Sequence, residues 1–505
     1  MSLKGAAWLR FAATLGAGGI AAFGQAPYDM PLLMLVGFVV ALRMFQLSSR
    51  PWQAAVIGWG FALGYFLHGW LWLLSPFMVD PERYAWMAPF ALVLMCAGLA
   101  LFWGLAFGVS RWLSSRTWPL IFCLPAAEML RGYVFTGFPW GMFSQGLVDV
   151  WPGQGLAFVG PYGMTLVVVA AAVFIARPVA GGLVQRFGSF AAKVAIAVCF
   201  VVPFSAAEAP LTDVTIRLIQ PNAAQKDKWD PVKIPEFFNR QLALTREMPR
   251  AGGPEPDLIL WAETAIPWPL DMADGALSQI SFAASGKPVV LGVQRRSDMQ
   301  FYNSAVLLGA QGDVLQTYDK HHLVPFGEYI PFGDALAKVG ITSFASQLGK
   351  GYSSGPGPAL MDLGALGMAL PLICYEAVFS RDVNGAPKRP RFLMQLTNDA
   401  WFGKGQGPLQ HLAQARMRSI EQGLPMARVA NTGVSAMIDP RGQITASLPL
   451  NTAGFLDARL AEPFAPTLYS RFGEWPFLIV LLIGLGIAAF RYQRNLQFDP
   501  GRAER

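Results

Sequence analysis

Apolar residues dominate long stretches of the first 210 positions and return near the C-terminus. A transmembrane helix needs about 20 mostly apolar residues. Seven stretches before residue 210 fit that need, at roughly 7–25, 30–46, 52–75, 85–109, 117–133, 154–176 and 187–207, and an eighth lies at about 475–490. The fifth is the weakest, since it contains Pro125 and Glu128. Between 211 and 465 the pattern changes to short β-rich runs: Val214–Gln220, Asp257–Trp261, Pro288–Val293, Ser304–Leu308, Met368–Cys374, Phe392–Thr397 and Val434–Ile438. Helix-like stretches lie between some of them, at 234–248, 273–285 and 408–423. Strands alternating with helices predict a layered α/β domain. The chain therefore divides into a membrane domain over 1–207, a soluble domain over 208–470, and a last span with its tail over 471–505.

The charges follow the same division. Of 71 charged residues, 17 fall in 1–210, 46 in 211–470 and 8 beyond. The 14% share is low against about 25% for an average soluble protein, and mean hydropathy is +0.38. Such a chain is not disordered, because disordered chains are poor in apolar residues and rich in charge. The net charge of +7 includes no Lys/Arg run of the kind that binds nucleic acid. It tracks topology instead. Lys4, Arg10, Arg43, Arg50, Arg111, Arg116, Arg177, Arg186, Arg491, Arg494, Arg502 and Arg505 fall on alternate loops. Cytoplasmic loops are enriched in Lys and Arg, so both termini are expected in the cytoplasm and 208–474 outside. The first stretch also reads as a signal peptide, whose removal would not alter that sidedness. Trp86, Trp118, Trp140, Trp151 and Trp475 sit near span ends, as interfacial aromatics do.

Four cysteines supply the first chemical clue. Cys96, Cys123 and Cys199 lie in predicted spans and read as small buried hydrophobes. Cys374 is the only cysteine of the exported domain, so it has no disulfide partner there. It ends a strand that runs into Tyr375-Glu376-Ala-Val-Phe379, which can open a helix. A helix N-terminus at a sharp turn favours a thiolate; the alternative is a plain core cysteine. A histidine base would have to come from His321, His322 or His411, none of which sits in a Cys–His protease signature. A carboxylate base with a lysine is the other option. Glu263 follows the Asp257–Trp261 strand, Lys320 follows another strand, and Glu328 comes eight residues later. Loops at strand ends are where α/β sites assemble.

These segments carry a family resemblance: Trp261-Ala-Glu-Thr-Ala-Ile-Pro, Asp319-Lys-His-His-Leu-Val-Pro-Phe-Gly-Glu-Tyr-Ile-Pro, Ile373-Cys-Tyr-Glu and Thr397-Asn-Asp-Ala-Trp-Phe, with Thr136-Gly-Phe-Pro-Trp140 in the membrane half. Over essentially its whole length the chain resembles the apolipoprotein N-acyltransferases, membrane-bound members of the nitrilase (carbon–nitrogen hydrolase) superfamily. The resemblance implies about eight transmembrane helices carrying an exported nitrilase-like α-β-β-α sandwich, held in the bacterial inner membrane as a monomer. It implies a phospholipid acyl donor, a diacylglyceryl-modified apolipoprotein acceptor, and no cofactor or metal. By resemblance Cys374 is the nucleophile, Glu263 the general base and Lys320 the stabiliser of the oxyanion. Glu328 positions Lys320 or shapes the oxyanion site, while Tyr375 and Glu376 fix the nucleophile's turn or touch substrate. Trp229 matches an aromatic on a mobile loop, and Asn303, Trp401 and Glu421 line or support the pocket. His321 and His322 are assigned no role.

Both implied substrates are lipid-anchored, and moving acyl chains into water costs about 0.8 kcal/mol per CH2. The site is therefore expected at the bilayer surface, with Ala335–Leu348, the Trp229 loop, Phe135–Trp151, Phe301, Tyr302 and Phe326 as candidate lipid-touching segments. Two rivals stand beside this reading. A membrane-tethered amidase acting on a small C–N substrate would use the same three residues. A transporter would bury charges in mid-membrane, and only Glu128 and Lys193, each near a span end, are candidates.

Overall fold

The computed structural model describes residues 3–179, 181–249, 252–331 and 351–498. The candidate lid at Ala335–Leu348 lies outside the described residues. The chain forms two compact units: Met1–Ala206 with Gly405–Ala413 and Thr467–Arg505, and Ala207–Lys404 with Gln414–Pro466.

In the first unit a helix occupies each of the eight apolar stretches: Leu3–Ala22, Pro31–Gln46, Pro51–Gly69, Ala88–Leu113, Leu120–Tyr133, Leu156–Ala176, Leu183–Cys199 and Trp475–Phe498. Among the described residues three helical segments are long and apolar enough to cross a membrane, Pro81–Leu113, Trp151–Ala176 and Trp475–Gln497. A fourth, Pro51–Gly69 with Leu71–Met78, is bent by 48° at Trp70. Pro31–Gln46 is apolar but shorter.

Two buried polar pairings and one exposed cysteine stand out in this unit. Glu128 is fully buried, where Arg131 one turn on pairs with it at 2.7 Å and the Trp103 indole donates to its other oxygen at 2.5 Å. A buried carboxylate is tolerated when paired and hydrogen-bonded in this way. Trp140 is buried, and its indole donates to Gln410 Oε1 at 2.8 Å, as that of Trp72 does at 3.2 Å. The Gln410 amide in turn donates to the carbonyls of Ala26 and Gly69, which uses its full hydrogen-bonding capacity. Cys199, unlike Cys96 and Cys123, is exposed. Its helix buries none of its residues and turns Leu183, Val184, Phe187 and Phe190 outward.

The second unit is built on two six-stranded sheets. The strands are β1 Leu211–Gln220, β2 Leu258–Trp261, β3 Val289–Ser297, β4 Gln300–Leu308, β5 Val314–Asp319, β6 Met361–Asp362, β7 Met368–Ile373, β8 Phe392–Thr397, β9 Met426–Ala430, β10 Ser435–Ile438, β11 Ile444–Leu448 and β12 Gly454–Ala461. One sheet has the order β12-β1-β2-β3-β4-β5, the other β11-β10-β9-β8-β7-β6. The centre of each is parallel, β1 with β2 with β3 and β7 with β8 with β9. Such strands, buried on both faces, read as near-continuous apolar runs, which is how β2, β7 and β8 stand in the sequence. Ile216, Leu218, Leu258 and Leu260 of one sheet meet Ile373, Met394, Leu396 and Val429 of the other in a shared core. The alternate residues Ile219, Ile259 and Trp261 face outward, under Phe238, Leu242, Leu277 and Ile280 of helices Ile234–Arg246 and Asp274–Ala283.

Candidate active site

Three strand ends meet at one buried polar cluster. After β2 the chain turns through Ala262–Ala265 across Gly292 of β3: the Gly292 N–H donates to the Ala262 carbonyl at 3.2 Å and the Ala265 N–H donates to the Gly292 carbonyl at 2.7 Å. This turn aims Glu263 inward. Its Oε1 accepts from Asn303 Nδ2 at 2.7 Å and its Oε2 from the Asn398 backbone N–H at 2.8 Å. After β5 the Lys320 N–H donates to the Asn303 carbonyl at 2.8 Å, which turns the Lys320 side chain into the same cluster. Its ammonium lies 2.9 Å from Glu328 and 3.6 Å from Glu263 Oε1. Asn303 Nδ2 also donates to Glu328 Oε1 at 2.9 Å, so one amide spaces two carboxylates around one ammonium. The Val324 N–H donates to Glu328 Oε2 at 2.8 Å and fixes the loop between Lys320 and Glu328.

Cys374 closes the third side. It follows β7 with φ +51, a conformation uncommon outside glycine and typical of strained functional turns. Glu376 holds that turn: its Oε2 accepts from the Ile373 N–H at 2.6 Å, and its Oε1 accepts from the Tyr318 hydroxyl at 2.9 Å and the His321 N–H at 2.8 Å. Tyr375 is buried edge-on against Phe379 and His322.

The electrostatics are those of a buried site. Burial raises the Cys374 thiol pKa well above its ordinary value, and the Glu263 and Asp399 charges add to this, while Lys320 and a hydrogen bond with Thr397 pull it down. For Lys320, burial alone would lower the pKa, but Glu328, Glu263 and Cys374 outweigh it and raise it. The lysine therefore stays a cation, while the thiol at rest keeps its proton until a base takes it.

The remaining candidates divide. Trp229 is half-buried and lines an open cavity with Glu263 and Thr264. Trp401 is half-buried in the short helix Asp399–Phe402 beyond β8. Glu421 is buried in a 2.5 Å pair with Arg418, whose guanidinium also donates to the Val378 carbonyl. Through Arg418, Glu421 is thus linked to the helical turn Cys374–Val378.

Sequence reasoning overlooked a second set of charges. His321 Nδ1 lies 2.6 Å from Glu376 Oε1, and His322 Nδ1 lies 2.7 Å from Asp382 Oδ2. Burial lowers the His321 pKa, but Asp382 and Glu376 raise it to about 9. These histidines stand behind the cysteine turn, against its supporting carboxylate. Adjacency to Lys320 was the signal available. Asp399, buried and paired with Arg428 at 2.7 Å, was likewise unread inside the Thr397-Asn-Asp segment.

Residues 215–463 match the carbon-nitrogen hydrolase family model, and residues 17–174 match that of the apolipoprotein N-acyltransferase N-terminal domain. The chain is 34% identical over 515 residues to the apolipoprotein N-acyltransferase of Rhodopseudomonas palustris, covering 96% of this chain and 95% of that one. It is 35% identical over 515 residues to the protein of that name from Bradyrhizobium diazoefficiens, with the same two coverages. Among solved structures, an amidase from Nesterenkonia sp. is similar at 19% identity, covering 55% of this chain and 99% of that one, with a TM-score of 0.39.

Proposed function

The chain belongs to the apolipoprotein N-acyltransferase family, and on that footing we infer that it moves an acyl chain from a membrane phospholipid to the N-terminal α-amine of a lipidated apolipoprotein cysteine. The observation that carries the chemistry is the convergence of Glu263, Lys320 and Cys374 at three strand ends, with Lys320 held between two carboxylates.

Glu263 takes the Cys374 proton as the sulfur attacks the phospholipid ester carbonyl. The tetrahedral oxyanion that forms needs preorganised positive charge and N–H donors. The Lys320 ammonium supplies the charge, and the backbone N–H following the nucleophile supplies a donor. As the intermediate collapses, the C–O bond breaks and Glu263 returns the proton to the lysophospholipid oxygen. The acyl group is now a thioester on Cys374. The acceptor amine attacks that thioester, Glu263 takes the amine's proton, and the thiol leaves with it as the amide forms. Two half-reactions through one acyl-enzyme give ping-pong kinetics. Glu328 holds the ammonium in place between them, and Glu376 holds the cysteine turn.

In this reading the apolar helices supply about eight spans, both termini face the cytoplasm and the domain 208–470 faces the periplasm. The loop arginines and the lipid character of both substrates support that placement. The test is mass spectrometry of the Cys374 peptide after incubation of the purified protein with phospholipid. An acyl adduct, absent in Cys374→Ala and strongly reduced in Glu263→Gln, is expected; a wild-type protein without the adduct removes the thioester route.

A further inference from the structure

Lys228 stands apart from the charges already used. It lies in the turn-rich stretch 221–233 ahead of helix Ile234–Arg246 and is buried. Its ammonium donates to the Glu263 carbonyl oxygen at 3.2 Å and to the Thr264 hydroxyl at 2.8 Å, both neutral acceptors. Burial pulls its pKa down to about 8, against an opposing pull from Glu263. Burying an ammonium against neutral oxygens is unfavourable, and a methionine of similar length would avoid the cost. The position therefore calls for a reason other than stability.

The reason lies in what the ammonium holds. Thr264 is β-branched and has φ +44, a conformation in which such a residue is an outlier. Strain of this kind costs about 1–3 kcal/mol and persists only where the surroundings over-determine it. Here the surroundings are Gly292, whose backbone grips the turn from one side, and Lys228, which grips it from the other. The strained residue adjoins Glu263. If Thr264 relaxed, the Glu263 Cα would move and carry the carboxylate off Asn303 Nδ2 and the Asn398 N–H.

We propose that Lys228 is a positioning residue for Glu263, holding the Glu263 carbonyl and the Thr264 hydroxyl in the left-handed turn that aims the base. The proposal rests on the reading of Glu263 as the general base. It goes further, because Lys228 belongs to the segment that carries Trp229. The ammonium lies 5.3 Å from the centre of the Trp229 ring. Both residues line one open cavity with Phe237, Phe238, Glu263 and Thr264. The seating of that segment and the aim of the base are thus mechanically one event.

The test follows single-turnover formation of the Cys374 thioester, using the full-length protein in detergent micelles with radiolabelled phosphatidylethanolamine. Lys228→Met should slow acylation about 10- to 100-fold, the size of effect that misplacing a reacting group has, with the melting temperature equal or higher. Glycine adopts positive φ without a Cβ clash, so a Thr264→Gly protein has no strain to hold. In that background Lys228→Met should have little further effect on the rate. Wild-type acylation in Lys228→Met overturns the proposal, and so does an equal loss in both backgrounds, which would mark an ordinary structural role. Should Lys228→Met fail to fold, Lys228→Leu, which also has no donor, is carried through the same two backgrounds and read the same way. A wild-type protein that forms no thioester refutes the assignment of Glu263 and Cys374 instead.

Discussion

The Lys320 ammonium lies 2.9 Å from each of the two carboxylate oxygens of Glu328. Both side chains are buried. Removing one member of a buried pair costs about 3–5 kcal/mol, because the other charge loses its partner. Glu328→Gln keeps the shape and one acceptor while removing the charge, so Lys320 should be drawn toward Glu263, now 3.6 Å away. The expected outcome is a lower melting temperature together with about 100-fold slower acylation of Cys374, as for a mispositioned catalytic group. Thermal unfolding and adduct formation measure the two effects, and a variant that keeps both wild-type values removes Glu328 from the site.

A second prediction separates the two effects of Glu263 on the thiol. Its negative charge raises the Cys374 pKa, whereas Lys320 lowers it. As a base, however, Glu263 is needed to take the thiol proton during attack. Glu263→Gln should therefore increase alkylation by iodoacetamide near neutral pH, which needs only thiolate, while it nearly abolishes acylation by phospholipid. Lys320→Met should lower both rates. If Glu263→Gln lowered alkylation as much as acylation, the electrostatic account of the thiol would be wrong.

The residues whose environment is local were legible in the sequence, and those whose environment is built by the fold were not. β2, β7 and β8 are buried on both faces and stand out as apolar runs ending at Glu263, Cys374 and Asn398. β5 exposes half of its residues and β11 three of five, and both lack that pattern. β9 is fully buried but contains Arg428, which is held there by the Asp399 carboxylate 29 residues earlier and by the Val434 carbonyl. Asn303 was readable only by resemblance, because its two carboxylate partners are 40 and 25 residues away. The His321–Glu376 and His322–Asp382 pairs span 55 and 60 positions, so no local spacing announces them.

His321 and Asp382 predict how stability depends on pH. The folded-state pKa of His321 is raised to about 9, against about 6.5 unfolded. A raised pKa means that the stabilisation is full below about 6.5 and is lost as pH rises through about 9. Asp382 behaves in the opposite sense. Burial alone would raise its pKa, but His321 and His322 lower it to about 2 from 3.8, so its contribution is present above 3.8 and lost as pH falls through about 2. The catalytic domain should lose melting temperature between pH 6.5 and 9, and His321→Gln should flatten that part of the curve. An unaltered slope in the variant would place the dependence elsewhere.

The last prediction concerns the close approach that shapes the Glu263 turn. A Cβ at Gly292 would lie 2.5 Å from the Thr264 nitrogen, 2.6 Å from the Glu263 Cα and 2.7 Å from the Ala262 oxygen. All three are backbone atoms, so no side chain can swing aside. Nor can β3 yield easily, since Gly292 lies within its antiparallel ladder with β4. The turn must move instead, at the 1–3 kcal/mol typical of overpacking, roughly. Because the displaced atoms include the Glu263 Cα, the rate should suffer more than the fold. Gly292→Ala is expected to lower the melting temperature by a few degrees and to slow Cys374 acylation about 100-fold. Gly275→Ala is the matched control: it lies in helix Asp274–Ala283, where an added Cβ meets nothing within 4 Å. That substitution should leave acylation unchanged and stabilise the helix slightly. Equal acylation rates in the two variants would mean that the aim of the base does not depend on the contact at Gly292.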